Sequence, residues 1–367
     1  MRTRRQFVRD ASLLAAASIA SPRLFAAEDL ATPYRTPFKY PELVLKATGV
    51  KGDFDEKSVD DPIVFRANGL FHMLYIGFDG TGYQTGLATS KDLLHWERKA
   101  LVGPRDPASK WTKYNLALSS ILRDKTLHGA GEAIKVNGRY LGAWNAYPSA
   151  GYEEGAAVIG LASSHDLLHW ELTEPILKPQ DGAPWEHGGL YRPDLMLDRG
   201  TYYLYYNAKT DTLPKSEGGG WHEQSGVATS KDLKTWTRYA GNPILANGPK
   251  STATTGEEPQ ASRDARFASN PYVVKNGNEY AMFYFGFGYQ RPGRARELFA
   301  VGNDPFHFTK VPETLIDVGA PGTIDETFAH KPSVIWHEGA LYHFYCAVSG
   351  KWPNEVRGIA VARSKAW

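Results

Sequence analysis

The chain has 367 residues, a formal net charge of +2, 22% charged and 13% aromatic residues, and one cysteine. A single cysteine excludes an intrachain disulfide, and the absence of a basic stripe excludes a nucleic-acid partner. The length suits one large domain with its own core, and no linker or low-complexity block marks a second.

The chain opens with Thr3-Arg4-Arg5-Gln6-Phe7-Val8, an apolar run from Leu13 to Ala20, and small residues around Ala26-Ala27. This pattern predicts a twin-arginine export signal over residues 1–27, and a periplasmic or secreted protein. The apolar run is too short to span a bilayer, so no membrane association is expected after cleavage. Residues 1–27 carry five arginines and one aspartate, a net +4, which leaves the mature chain at −2. The basicity therefore belongs to the address. Residues 28–50 read as a leader, and 51–367 as the folded domain.

From there the chain repeats itself. Gly86-Leu87-Ala88-Thr89-Ser90-Lys91-Asp92-Leu93-Leu94-His95-Trp96 returns as 160–170 and as 226–236, with a worn copy at 299–308 and a fragment at 358–364. The anchor aromatics Trp96, Trp170, Trp236 and Phe308 lie 74, 66 and 72 residues apart. Fixed-period similarity signals a repeat architecture. Each copy follows a hairpin pattern. Pro62-Ile63-Val64-Phe65 turns at Asn68-Gly69; the later units turn at Asn137-Gly138, Arg199-Gly200, Asn276-Gly277 and Glu338-Gly339. Short β-branched and aromatic runs joined at Xaa-Gly are hairpins. The Gly-Leu-Ala-Thr-Ser run adds a third strand and the Trp begins a fourth, its indole expected to pack between neighbouring units. Five units of about four strands predict an all-β, five-bladed β-propeller. The fifth unit stops after its third strand. Residues 41–46 are expected to supply its outer strand and to close the ring. The stretches 209–224 and 247–262 read as long loops, which in a compact domain are often functional.

In a propeller the first strand of every blade lines the axis, so equivalent positions converge. Aligned on the hairpin glycines, the inner-strand starts are Asp61, Glu132, Arg192, Asn270 and Lys331. Four of them precede a proline; Glu132 precedes Ala133. Charged and amide groups at five equivalent positions predict a binding site at one mouth of the tunnel. Asp60, Glu186, His187, Asp194, Arg266, Glu326 and His330 are neighbours in sequence and are expected to join it.

With Asp61-Pro62 and the Leu-Ala-Thr-Ser-Lys-Asp-Leu-x-x-Trp phrase in place, residues 41–367 resemble the five-bladed propeller glycoside hydrolases around families 43, 32, 117 and 130. The resemblance implies that Asp61 is the catalytic base. By place in blade 2, Glu132 is expected as the acid or the group that tunes it. Arg192-Pro193-Asp194 stands where a Glu-Gly-Pro-like segment is usual, which makes Asp194 the next candidate acid. A histidine acid, as family 117 suggests, would fall to His330 or His187. Glu186 and Glu326 are expected to reach over the mouth from loops. Arg192, Asn270 and Lys331 would bind hydroxyl or carboxylate groups, which is compatible with an anionic sugar. The expected substrate is an oligosaccharide or polysaccharide of plant or algal origin, trimmed from its end. Inversion is expected because carboxylates on different blades suit the wider separation of about 6.5–9.5 Å. No cofactor is required; a structural divalent cation in the central tunnel is the one option the resemblance adds. Two other readings stand beside this one: a phosphorylase resembling family 130, and a non-catalytic carbohydrate-binding propeller.

Overall fold

The computed structural model describes residues 30–214, 219–251, 257–351 and 354–367. The expected export signal lies outside the described residues. Two short strands come first, β1 (Phe38–Lys39) and β2 (Leu45–Lys46). Blade 1 is β3 (Ser58–Ala67), β4 (Leu70–Phe78), β5 (Tyr83–Ser90) and β6 (Glu97–Gly103). Blade 2 is β7 (Ala117–Ile121), with a short β8 (Lys135–Val136), then β9 (Arg139–Ala146), β10 (Val158–Ser164) and β11 (Trp170–Leu177). Blade 3 is β12 (Gly189–Asp198), β13 (Thr201–Lys209), β14 (Glu223–Ser230) and β15 (Thr237–Arg238). Blade 4 is β16 (Phe267–Asn276), β17 (Glu279–Phe287), β18 (Ala295–Gly302) and β19 (Thr309–Ile316). Blade 5 is β20 (Phe328–His337), β21 (Ala340–Ser349) and β22 (Val356–Arg363). The N-terminal strands β1 and β2 both pair antiparallel with β22 and so stand where blade 5 lacks its own fourth strand.

The repeated phrase is explained by local bonding. Ser90 Oγ accepts the Asp92 and Leu93 amides, and Asp92 Oδ1 accepts those of Leu94 and His95. Ser and Asp thus close the turn on its own backbone. The turn forces Leu93 to φ 69°, and Leu167 and Leu233 repeat it at 71° and 64°. A left-handed leucine costs roughly 1–2 kcal/mol. The cost is offset by burial and by the following tryptophan: Trp96 Nε1 donates to the Leu93 carbonyl at 3.0 Å, and Trp170 does the same to Leu167. The indoles then pack across seams, Trp96 of blade 1 meeting Phe344 of blade 5 edge to face at 5.8 Å.

Each seam has its own apolar cluster. Blades 1 and 2 share one around Phe65 and Trp144, blades 2 and 3 one around Leu161 and Leu204, and blades 3 and 4 one around Tyr205 and Met282. Blades 4 and 5 join through Phe299 and Leu341, with Tyr34 from the leader. Blades 5 and 1 join through Phe344 and Met73. The sole cysteine, Cys346, is buried and free.

One prediction of strand order is corrected. The inner strand of blade 2 is β7, and the hairpin at Asn137-Gly138 belongs to β8, a two-residue remnant. Both β7 and β8 pair with β9, and residues 122–134 leave the sheet between them. Counting back from the hairpin glycine therefore selects Glu132 in the excursion instead of a residue on the axis.

Candidate active site

The inner strands share one distortion. The ladder of β3 with β4 skips Asp61-Pro62, and the ladders of blades 3, 4 and 5 skip Arg192-Pro193, Asn270-Pro271 and Lys331-Pro332. Proline has no amide hydrogen to give, so each pair forms a bulge. The residue before the proline is forced to positive φ: 60° at Asp61, 50° at Arg192, 56° at Asn270 and 68° at Lys331. In blade 2 the skipped residue is Ser119. Such bulges re-aim side chains, and strain of this kind gathers at functional sites. Here they turn Asp61, Ser119, Arg192, Asn270 and Lys331 toward the axis.

These groups interlock. Arg192 Nε lies 2.8 Å from Asp61 Oδ1, an ionic contact without hydrogen-bond alignment. Its Nη1 donates to the Ser119 carbonyl at 2.9 Å, and its Nη2 to those of Pro332 at 3.3 Å and Pro62 at 3.5 Å. One guanidinium from blade 3 therefore ties blades 1, 2 and 5 across the tunnel. Burial pushes the Asp61 carboxyl up, against the pull of Arg192 and Lys331. Asp60 behaves oppositely. Burial would raise it too, but Lys331 at 2.7 Å and Arg357 at 2.9 Å hold its carboxyl well below the usual range.

Above this floor opens a cavity of about 730 Å³ at the starts of the inner and third strands. Its lining includes Tyr83, Glu153, Tyr191, Lys209, Glu223, Asn270 and Lys331, with Glu355 and Arg357 on the blade 5 side. Two carboxyl groups from adjacent blades face it. Glu223 opens β14 and is 4% exposed. Its Oε1 accepts Trp221 Nε1 at 2.7 Å and its Oε2 accepts Ser269 Oγ at 2.7 Å. Burial, and then the charge of Glu153, raise its carboxyl above the ordinary value and favour the protonated form. Glu153 stands on the loop between β9 and β10 at φ 57°. Its Oε1 lies 3.9 Å from the Lys331 ammonium, and its backbone carbonyl accepts Lys209 Nζ at 3.0 Å. The buried Tyr191 hydroxyl has no aligned hydrogen bond and lies within electrostatic reach of both glutamates. One protonated and one half-exposed carboxyl group over a sugar-sized cavity can perform acid–base chemistry.

Other foreseen residues lie elsewhere. Glu132 is half-exposed and sits 3.5 Å from Arg66, at the end of β3 remote from Asp61. It does not reach the cavity, because the excursion carries it to the far side of the blade. Asp194 is buried below the floor, where Lys125 Nζ binds Oδ1 and the Val273 amide donates to Oδ2 at 2.9 Å. Its bonds join blades 2, 3 and 4 and leave nothing for a substrate. Glu186 accepts Tyr206 Oη and Arg238 Nε, both at 2.7 Å, on the outer side of blade 3. Glu326 is spent on the Gly322 and Gly350 amides of its own loop. His187, Asn270, His330 and Lys331 do line the cavity. Arg266 rests on its aromatic rim, over Phe267 and Trp221. Burial lowers the His330 imidazole to about 3, so it stays neutral and is a poor proton donor.

Reading along the chain does not single out Glu153 or Glu223. One signal is present for Glu223. The position three before the third-strand glycine is Tyr83, Ala157 and Glu223 in blades 1 to 3, and Ala295 and Glu355 match it in blades 4 and 5. Four of these five line the cavity, a second ring outside the first. Nothing in the sequence marks Glu153 apart from its place in a glycine-flanked loop.

The residues present do not fit a cation in the tunnel. The axial carbonyls that could ligate one are taken by Arg192. A second cluster, Asp60, His330 and Cys346, brings its ligand atoms within 4.8 Å of one another. There Asp60 already holds both Lys331 and Arg357, and two such positive charges repel a divalent ion.

Known proteins agree with this architecture. The family model for the glycosyl hydrolases family 32 N-terminal domain matches residues 131–291. A solved complex of BT0996 with RGII is 31% identical over 92% of this chain and 94% of that one, with a TM-score of 0.74. A solved structure named "Glycoside hydrolase" is 29% identical over 93% and 95%, also at 0.74. The 1,2-beta-oligomannan phosphorylase of Thermoanaerobacter sp. (strain X514) is 29% identical over 162 residues, 43% of this chain and 45% of that protein. The match thus spans less than half the length of that curated relative.

Proposed function

Because this chain belongs to the five-bladed β-propeller glycoside hydrolases and is a glycosidase, we propose that it releases the terminal sugar of plant or algal oligosaccharides, with Glu223 as general acid and Glu153 as the opposing carboxylate. The observation that carries this is Glu223: a buried carboxyl group in the cavity wall, raised by burial and by Glu153. A general acid needs such a shift to hold its proton near neutral pH. Glu153, beside the Lys331 ammonium, serves as the base that activates water. Attack from a different blade supports inversion, since the inverting geometry leaves room for that water. Asp61, expected as the base, is assigned to the floor, where it fixes Arg192 and contacts Ser119 Oγ at 3.4 Å. A cavity floored by Asp61, Arg192, Asn270 and Lys331 accepts a chain end, which supports exo action.

The substrate class follows from the solved complex with RGII: an oligosaccharide released from RGII is the first to test. An anionic group on it is supported by Lys209. Its ammonium lines the cavity and pairs with no carboxylate among the described residues. Phosphorolysis, the activity in the name of the oligomannan relative, is the second reading. It needs free cations beside the acid, whereas Lys331 and Arg357 are committed to Asp60 and Arg192 to Asp61. Export by the twin-arginine route is supported by Arg4-Arg5 and the apolar run behind them. Replacing both arginines by lysine should then retain the protein in the cytoplasm on fractionation.

Catalysis is tested with purified protein on RGII oligosaccharides and on a panel of plant and algal oligosaccharides, following the anomeric configuration by NMR. Glu223→Gln and Glu153→Gln should each lower kcat by about 10²–10⁴-fold. Full activity in either variant rejects the pair, a retained configuration rejects inversion, and strict phosphate dependence favours the second reading.

A further inference from the structure

We propose that the cavity carries a leaving-group subsite, an aromatic strip of Trp221, Phe267, Phe287 and Phe328 that holds the sugars beyond the scissile bond by their apolar faces. This assignment rests on Glu223 as the proton donor, because the group that receives its proton must lie beside it.

Four observations carry the strip. First, it is one row of the sheet. Glu223 is bridged to Phe267, Phe267 is the register partner of Phe287, Phe287 of Ala295, and Ala295 of Phe328. All stand at the mouth end of their strands, and all line the cavity. Neighbouring strands are about 4.8 Å apart, so four steps carry the row about 19 Å from Glu223. That length holds more than one sugar residue. Secondly, the rings face alike near the acid. Trp221 and Phe267 stack at 5.9 Å and 18°, and Phe267 and Phe287 at 5.3 Å and 26°. Phe328 ends the row edge-on to Phe287 at 6.1 Å.

Thirdly, the rings are not core. The seam clusters that hold the blades together contain none of the four. Each is only half-buried. A contiguous apolar surface left open in this way marks a binding site. Arg266 lies over the end next to the acid, 4.9 Å from the Phe267 ring and 5.6 Å from Trp221, and adds donors for sugar hydroxyls. Fourthly, the cavity is divided. Toward blades 1 and 2 it is polar, with Glu153, Tyr83, Tyr191 and the floor. Toward blades 4 and 5 it is aromatic. Glu223 stands at the boundary, where the bond to be cut would lie.

The experiment is calorimetric titration of the inactive Glu223→Gln protein with an oligosaccharide released from RGII and, separately, with its free monosaccharides. Phe267→Ala and Phe287→Ala, each placed in the Glu223→Gln background, should weaken oligosaccharide binding at least tenfold and leave monosaccharide binding unchanged. Phe287→Leu, with thermal melts alongside, separates loss of a ring face from loss of fold and should show the same weakening. In the active protein, Phe287→Ala should raise KM with little change in kcat. Unchanged oligosaccharide affinity in the alanine variants overturns the strip. So does a parent protein that holds the oligosaccharide no more tightly than a monosaccharide. Equal losses for both ligands place the rings in the terminal-sugar site and also overturn it. Binding with strip dependence but no hydrolysis by the active protein leaves the strip standing and sinks the assignment of Glu223.

Discussion

Arg192→Met removes a charge from a place where nothing can replace it. Its side chain is 6% exposed and that of Asp61 is 8% exposed. Removing one partner of a buried pair costs about 3–5 kcal/mol, because the other charge stays buried and unpaired. The Ser119 carbonyl loses its 2.9 Å donor as well, which adds roughly 1 kcal/mol. Against a typical domain stability of about 5–15 kcal/mol this is a large fraction. In a chain of this size it should lower the melting temperature by on the order of 10 °C. Urea unfolding followed by circular dichroism measures the loss. The diagnostic comparison is Asp61→Asn, alone and combined with Arg192→Met. The single Asp61→Asn should cost less than Arg192→Met, since Arg192 keeps carbonyls of three blades. The double variant should recover part of the Arg192→Met loss, because no buried carboxylate is left unpaired. A loss under about 1 kcal/mol for Arg192→Met, or strict additivity in the cycle, would refute the view that this ion pair organises the axis.

Since Arg192 occupies the axial carbonyls, prolonged treatment with EDTA should leave both the melting temperature and turnover unchanged; a fall in either means that a cation is bound after all. Activity should decline as pH rises through the elevated Glu223 value, and Glu223→Gln should remove that alkaline limb. Stability has a matching sign. The folded state holds this proton more tightly than the unfolded chain, so the contribution is complete below the unfolded value of about 4.3 and is lost as pH rises through the folded one. Unfolding measurements on Glu223→Gln and its parent across that range test the difference. Tyr34→Ala should cost about 3–5 kcal/mol. This ring is fully buried at the seam of blades 4 and 5, 4.6 Å from Phe299, and its hydroxyl donates to Glu279. Deletion of residues 30–48 should cost more, and an unchanged melting temperature would show that β1 and β2 add nothing to blade 5.

The sequence alone determined what is local and repeated. Ser90, Asp92, Leu93 and Trp96 bond within a few residues of one another, so their spacing announces the turn wherever it recurs. A proline that opens an inner strand likewise fixes its neighbour's strain, and Asp61, Arg192, Asn270 and Lys331 are legible for that reason. Blade 2 has no such proline. Its inner strand is split by an excursion, and an alignment on Asn137-Gly138 reaches Glu132 instead of Ser119. The chemistry is hidden for a different cause. Glu153 comes from a loop and Glu223 from the start of a third strand, 70 residues apart in the chain. They meet only because adjacent blades turn those edges to one mouth. Burial, which gives Glu223 its proton, depends on Trp221 and Ser269 closing over it. Desolvation is a property of the packed ring, and no stretch of sequence carries it by itself.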